Sequence, residues 1–73
     1  MQRRKVISEV AGTVWKIEAP VGSTVVADDP ILLLECMKME IPVYAPAAGI
    51  VVEIRVAEGD PVAEGQVVAE IET

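Results

Sequence analysis

The chain has no histidine and one cysteine in 73 residues. Lacking histidine, it offers none of the common Cys/His zinc sites and no histidine-based acid–base or triad mechanism. Cys36 has no base partner to make it a nucleophile and no second cysteine within the chain to pair with. It reads as a small packing residue, and the cysteine usage fits a reducing compartment. The remaining group of interest is Lys38, in the run Glu35-Cys36-Met37-Lys38-Met39-Glu40-Ile41-Pro42. Here a long cation sits between two methionines, where a hairpin tip ordinarily carries Asn-Gly or Gly-Gly. Spacing alone is compatible with a plain solvated lysine, but apolar side chains at an exposed tip need a reason. Glu35 and Glu40 flank the lysine, either as an acidic pair or as strand-edge solubility.

The elements that must position this run come from an internal repeat. A shift of 37 places aligns Val6–Glu35 with Val43–Glu72 without a gap. Eight of the thirty pairs are identical: Val6/Val43, Ala11/Ala48, Gly12/Gly49, Val14/Val51, Ile17/Ile54, Gly22/Gly59, Val25/Val62 and Glu35/Glu72. This exceeds the ~3 expected by chance and marks a structural repeat. Within it, Trp15, Ile17 and Ala19 alternate with Lys16 and Glu18, as Val52, Ile54 and Val56 alternate with Glu53 and Arg55. Period-two alternation predicts half-buried strands, with Trp15 in or near the core. The matching Gly22-Ser23-Thr24 and Gly59-Asp60-Pro61 read as turns.

Eight short strands follow, four per half: Lys5–Glu9, Gly12–Ile17, Thr24–Val26, Ile31–Met37, Met39–Tyr44, Gly49–Ile54, Pro61–Ala63 and Val67–Glu72. Leu32 and Leu34 match Ala69 and Ile71 on one face. The five prolines fall at turns or strand edges, where a missing N–H is tolerated. Neither half can bury its apolar face alone, so the expected fold is all-β. It is a flattened eight-strand barrel-sandwich hybrid of two quasi-symmetric four-strand halves, one domain over residues 1–73. If a two-fold axis relates the halves, the turn holding Lys38 projects away from both chain ends.

Composition narrows the partners. The net charge of −6 opposes nucleic-acid binding, which needs lysine and arginine against phosphate. Arg3, Arg4 and Lys5 read as a solvated N-terminal arm. No stretch approaches a membrane span and no signal peptide is visible, so the expected location is cytoplasmic. There is no nucleophile–base pair and no Walker loop; the chain reads as a non-catalytic domain.

Glu-x-Met-Lys-Met followed by Glu-Ile-Pro, centred between the two halves, resembles the attachment site of the biotinyl domain family: biotin carboxyl carrier proteins and the biotinyl domains of biotin-dependent carboxylases. The resemblance extends to Ala45-Pro46-Ala47-Ala48-Gly49, Glu58-Gly59-Asp60 and the last strand. It implies that Lys38 is joined through its ε-amino group to the carboxyl of biotin by a biotin protein ligase acting through a biotinyl-adenylate. An alkylammonium is protonated at neutral pH, so the ligase must deprotonate or desolvate it. Amide formation takes the net charge from −6 to −7. Met37 and Met39 are implied to aid recognition and the later chemistry. A biotin carboxylase then carboxylates the ring nitrogen using ATP and bicarbonate. A carboxyltransferase passes the carboxyl group to an acceptor, as in an acyl-CoA carboxylase. The cofactor carries the hard chemistry, and the tethered domain supplies presentation and local concentration.

The chain departs from some relatives. Glu18–Thr24 aligns residue for residue with Arg55–Pro61, leaving no room for the inserted thumb of certain biotinyl domains. No Ala/Pro-rich linker precedes the domain either. Both features resemble the thumbless carriers, including short biotin/lipoyl attachment proteins, and equally a domain excised from a larger carboxylase. Cys36 stands where relatives usually carry Ala, Ser or Val. Two other readings share the fold. A lipoyl carrier typically has Asp-Lys-Ala at the tip, and an adaptor domain would leave the lysine unmodified.

Overall fold

The computed structural model describes residues 2–73, with extents of 36 × 18 × 18 Å. Eight strands and no helix are found among the described residues: β1 (Arg3–Ile7), β2 (Gly12–Ile17), β3 (Thr24–Val25), β4 (Pro30–Cys36), β5 (Met39–Tyr44), β6 (Gly49–Ile54), β7 (Pro61–Val62) and β8 (Val67–Glu72). They form two antiparallel four-stranded sheets, ordered β1-β8-β6-β3 and β5-β4-β2-β7. Each sheet draws strands from both halves, so the halves interlock rather than stack.

The 37-residue repeat is written into the packing. Among the described residues, fourteen of the fifteen buried hydrophobic ones are seven pairs 37 apart: Val6/Val43, Val14/Val51, Ala19/Val56, Val25/Val62, Ile31/Val68, Leu32/Ala69 and Leu34/Ile71. The fifteenth, Ala45, matches Ser8, which is buried with its hydroxyl donating to the Val10 carbonyl at 2.6 Å. Backbone bonds obey the same rule. Gly22 N–H donates to Val51 O at 2.8 Å and Gly59 N–H to Val14 O at 2.7 Å; Glu18 N–H donates to Ile31 O at 2.9 Å and Arg55 N–H to Val68 O at 2.8 Å. The turn of each half thus caps a strand of the other. Neither half can fold alone without orphaned backbone groups.

Close approach explains one conserved feature of both halves. A Cβ built on Gly49 would lie 2.4 Å from the Glu72 carbonyl oxygen, and one on Gly12 would lie 2.8 Å from that of Glu35. Both neighbours are backbone in central strands and cannot move aside. Gly49→Ala is expected to destabilise the domain by about 3 kcal/mol, the upper end for overpacking. For a domain this small, that lowers Tm by more than about 10 °C, measurable by thermal circular dichroism. An unchanged Tm would show that the β6–β8 approach is looser than described.

The structure corrects three expectations. The first strand is Arg3–Ile7, not Lys5–Glu9. Arg3, Arg4 and Lys5 are therefore not a free arm: they pair with Glu72, Ile71 and Glu70 of β8. Arg3 lies 3.7 Å from the buried Glu70 carboxylate, which also accepts from Arg55. Burial of a carboxylate needs such partners, and they draw the basic segment into the sheet. The fourth strand ends at Cys36, freeing Met37 for the turn. Trp15 is not in the core but 50% exposed. Between Val14↔Leu34 and Lys16↔Leu33, β2 carries an extra residue, Trp15; β6 carries Val52 in the same way, between Val51↔Ile71 and Glu53↔Glu70. A β-bulge shifts the inward face by one residue. Val14 and Val51 therefore fill the core where alternation placed Trp15 and Val52.

Candidate functional site

Lys38 stands at the tip of the β4–β5 hairpin. Cys36 pairs with Met39, so the loop is only Met37-Lys38. Such a tight connection forces positive φ at both loop residues, the signature of a type I′ turn, and Met37 has φ 53° and Lys38 φ 64°. Left-handed backbone costs a residue with a Cβ about 1–2 kcal/mol. The turn therefore holds two strained positions in succession where Asn-Gly would hold none. The only other such residue among those described, Asp28 (φ 71°), has a glycine at its repeat counterpart, Gly65 (φ 84°). The hairpin tip lies at the join between the two aligned halves, Val6–Glu35 and Val43–Glu72.

The stem beneath the tip is rigid. β4 lies between β5 and β2, with Ile31, Leu32 and Leu34 fully buried. Each such side chain contributes about 1.5–3 kcal/mol. β5 is an edge strand, which accommodates Pro42. Glu35 and Glu40, both exposed, lie directly opposite each other beneath the tip. Like charges in that register repel, so a small acidic step underlies the cationic tip. Met37 is 89% and Met39 64% exposed. Cys36 is half-buried and unpaired. Among the described residues nothing forms an ion pair or side-chain hydrogen bond with the Lys38 ammonium, and no metal-binding cluster occurs.

The tip lies far from the chain ends. From Met39, β5 runs a full strand length, about 20 Å at strand rise, to Tyr44. A short link then reaches Gly49, which packs against Glu72 and Thr73. Thr73 and Gln2 exchange backbone bonds of 2.8 and 3.2 Å. Gln2 and Thr73 are thus joined at the end of the domain remote from the tip. No helix among the described residues is long and apolar enough to cross a membrane.

The chain as a whole is similar to proteins of known kind. Residues 5–71 match the family model described as biotin-requiring enzyme. The chain belongs to the biotinyl domain family. The biotin/lipoyl attachment protein of Bacillus subtilis (strain 168) is 41% identical over 63 residues, 86% of this chain and 86% of that one. The biotinylated protein TB7.3 homolog of Mycobacterium leprae (strain TN) is 39% identical over 64 residues, 88% of this chain and 90% of that one. Among solved structures, the Kluyveromyces lactis urea carboxylase superposes with a TM-score of 0.93 at 38% identity, over 99% of this chain and 6% of that one. The domain thus spans most of two small relatives and a small part of a large carboxylase.

The residues at the tip fit a covalently carried acyl group. Lys38 is exposed, and no neighbouring carboxylate engages its amine. Sequence reading brought Lys38, Met37 and Met39 together at a hairpin, and the biotinyl domain places all three there. It missed the exposure of Trp15. The Val14/Val51 identity was the available signal, since a pair identical across the repeat is the better candidate for the core.

Proposed function

We propose that this biotinyl domain carries biotin on Lys38 and presents it to a biotin carboxylase and then to a carboxyltransferase of a biotin-dependent carboxylase. An acyl-CoA carboxylase is one such assembly, and the cytoplasm is the proposed compartment. The observation that carries the reading is the exposed, unengaged Lys38 amine on a two-residue turn, in a chain of this family. Biotin supplies a ring nitrogen that accepts and releases a carboxyl group. The chain's own residues hold and present that group, and partner active sites act on it.

Lys38 Nζ attacks the carbonyl carbon of biotinyl-adenylate on a biotin protein ligase. A C–N bond forms, the acyl–phosphate C–O bond breaks and AMP leaves. The ammonium gives up two protons in becoming the amide N–H, and the ligase must accept them, since no base stands beside Lys38 among the described residues. Met37 and Met39 offer the ligase apolar contacts on either side of the amine, a use suited to thioether side chains. The two-residue turn holds Lys38 at the exposed end of a hairpin anchored by the buried residues of β4. Termini at the opposite end leave the tip unobstructed when the domain is tethered to partners, and tethering raises the local concentration of the carried group to about the millimolar range.

Co-expression with a biotin protein ligase, and separately with a lipoate ligase, tests this by intact mass. One biotinyl increment per chain is expected from the first and no increment from the second. A lipoyl increment alone would overturn the reading in favour of a lipoyl carrier.

A further inference from the structure

Trp15 is half exposed although it is the largest side chain in the protein. The bulge that turns it outward is shared with Val52, so the backbone device does not depend on tryptophan. Beside it lies an open depression of about 350 Å³ lined by Thr13, Val14, Trp15, Glu35 and Gly59. Its walls differ in chemistry: an indole face, the exposed carboxylate of Glu35, a hydroxyl, and the turn backbone at Gly59. Glu35 lies opposite Thr13 and three residues before Lys38, so the depression is on the sheet that bears the hairpin.

We infer that this depression is a resting site for the bicyclic ring of the biotin carried on Lys38, with the apolar ring against Trp15 and a ureido N–H directed to Glu35. This rests on the carrier reading above. The chemistry matches on both sides: a ureido group has two N–H donors for a carboxylate acceptor, and a compact saturated bicycle packs on an indole face. The reach also matches. Trp15 lies three to four residues below Lys38 along the hairpin stem. That is about 12 Å along the strands and about 5 Å to the side. The lysine stem and valeryl chain together have eleven rotatable or amide bonds. At the extended-chain rise of about 3.6 Å per three bonds, they span about 13 Å, which matches that separation. The tether brings the ring to this surface at about millimolar local concentration, enough to populate a weak contact while leaving the ring free to depart.

Trp15 is the only tryptophan, so its fluorescence reports this site alone. The chain is biotinylated with ligase, biotin and ATP, and complete modification is verified by intact mass. Acrylamide quenching is then compared with that of the unmodified chain. Biotinylation is expected to lower the quenching constant about twofold and to shift the indole N–H resonance in an NMR spectrum. Glu35→Ala is expected to return most of the quenching while still accepting biotin. Trp15→Val, which restores the residue type of its repeat partner, is expected to speed capture of the biotinylated chain by avidin about twofold. Equal quenching constants before and after verified biotinylation would overturn the resting site and leave the carrier reading standing. A chain that takes up no biotin would overturn both.

Discussion

Replacing Lys38 with arginine is expected to abolish biotin incorporation, leaving only unmodified chain by intact mass and no streptavidin signal. Arginine keeps the length, the positive charge and the exposure of the side chain, so ligase encounter is little altered. It removes the chemistry, because a guanidinium does not lose a proton in a protein and cannot act as the acyl acceptor. The side chain is exposed, so the thermal midpoint is expected to stay within about 2–4 °C of the parent, as for an exposed substitution of under about 0.5 kcal/mol. Retained biotinylation in Lys38→Arg would move the acceptor to Lys5 or Lys16, the only other lysines. Lys5 is held in β1 opposite Glu70, and Lys16 lies 3.9 Å from Glu18 on β2. Neither occupies a turn that offers its amine to a partner's active site.

The converse substitution should strengthen the fold as it removes the function. Met37→Asn with Lys38→Gly places the preferred type I′ pair in a turn whose φ values are already 53° and 64°. Lys38→Gly removes the Cβ that opposes the left-handed conformation, and Met37→Asn brings a side chain that tolerates it through local hydrogen bonding. The double variant is expected to gain about 2 kcal/mol in chemical denaturation, from about 1 kcal/mol or more at each site. It also removes a highly exposed methionine. For a domain of this size the gain corresponds to a Tm increase of about 8–16 °C. The turn thus holds strain at a functional position, and the two buried sheets supply the stability that tolerates it. A double variant no more stable than the parent would mean that the turn is relaxed as it stands.

Much of this fold was legible in the sequence because symmetry doubles every signal. Val14 recurs as Val51, Val25 as Val62 and Leu34 as Ile71, and those pairs are the core. The number of strands in each half and the joining hairpin followed from the same alignment, while the exchange of strands between the halves did not. The exceptions have local causes. Alternation assumes an uninterrupted pleat, and the bulges at Trp15 and Val52 break it, exchanging the inner and outer faces. The basic run Arg3-Arg4-Lys5 carries no apolar pattern; it becomes a strand because β8 offers Glu70 and Glu72 beside it. At the site, residue types identified Lys38 and its methionines. The left-handed turn could not be read from them, since neither Met nor Lys favours it. It is imposed by the registers of β4 and β5 on either side, themselves set by buried Leu32, Leu34 and Val43.

The central claim is that Lys38 is the point of attachment. Peptide mapping by tandem mass spectrometry of the wild-type chain after reaction with a biotin protein ligase tests it most directly, since the three lysines are well separated. The expected result is one biotinyl group per chain, confined to Lys38, with Lys5 and Lys16 unmodified. A biotinyl group on either of those residues, or on none, would contradict it.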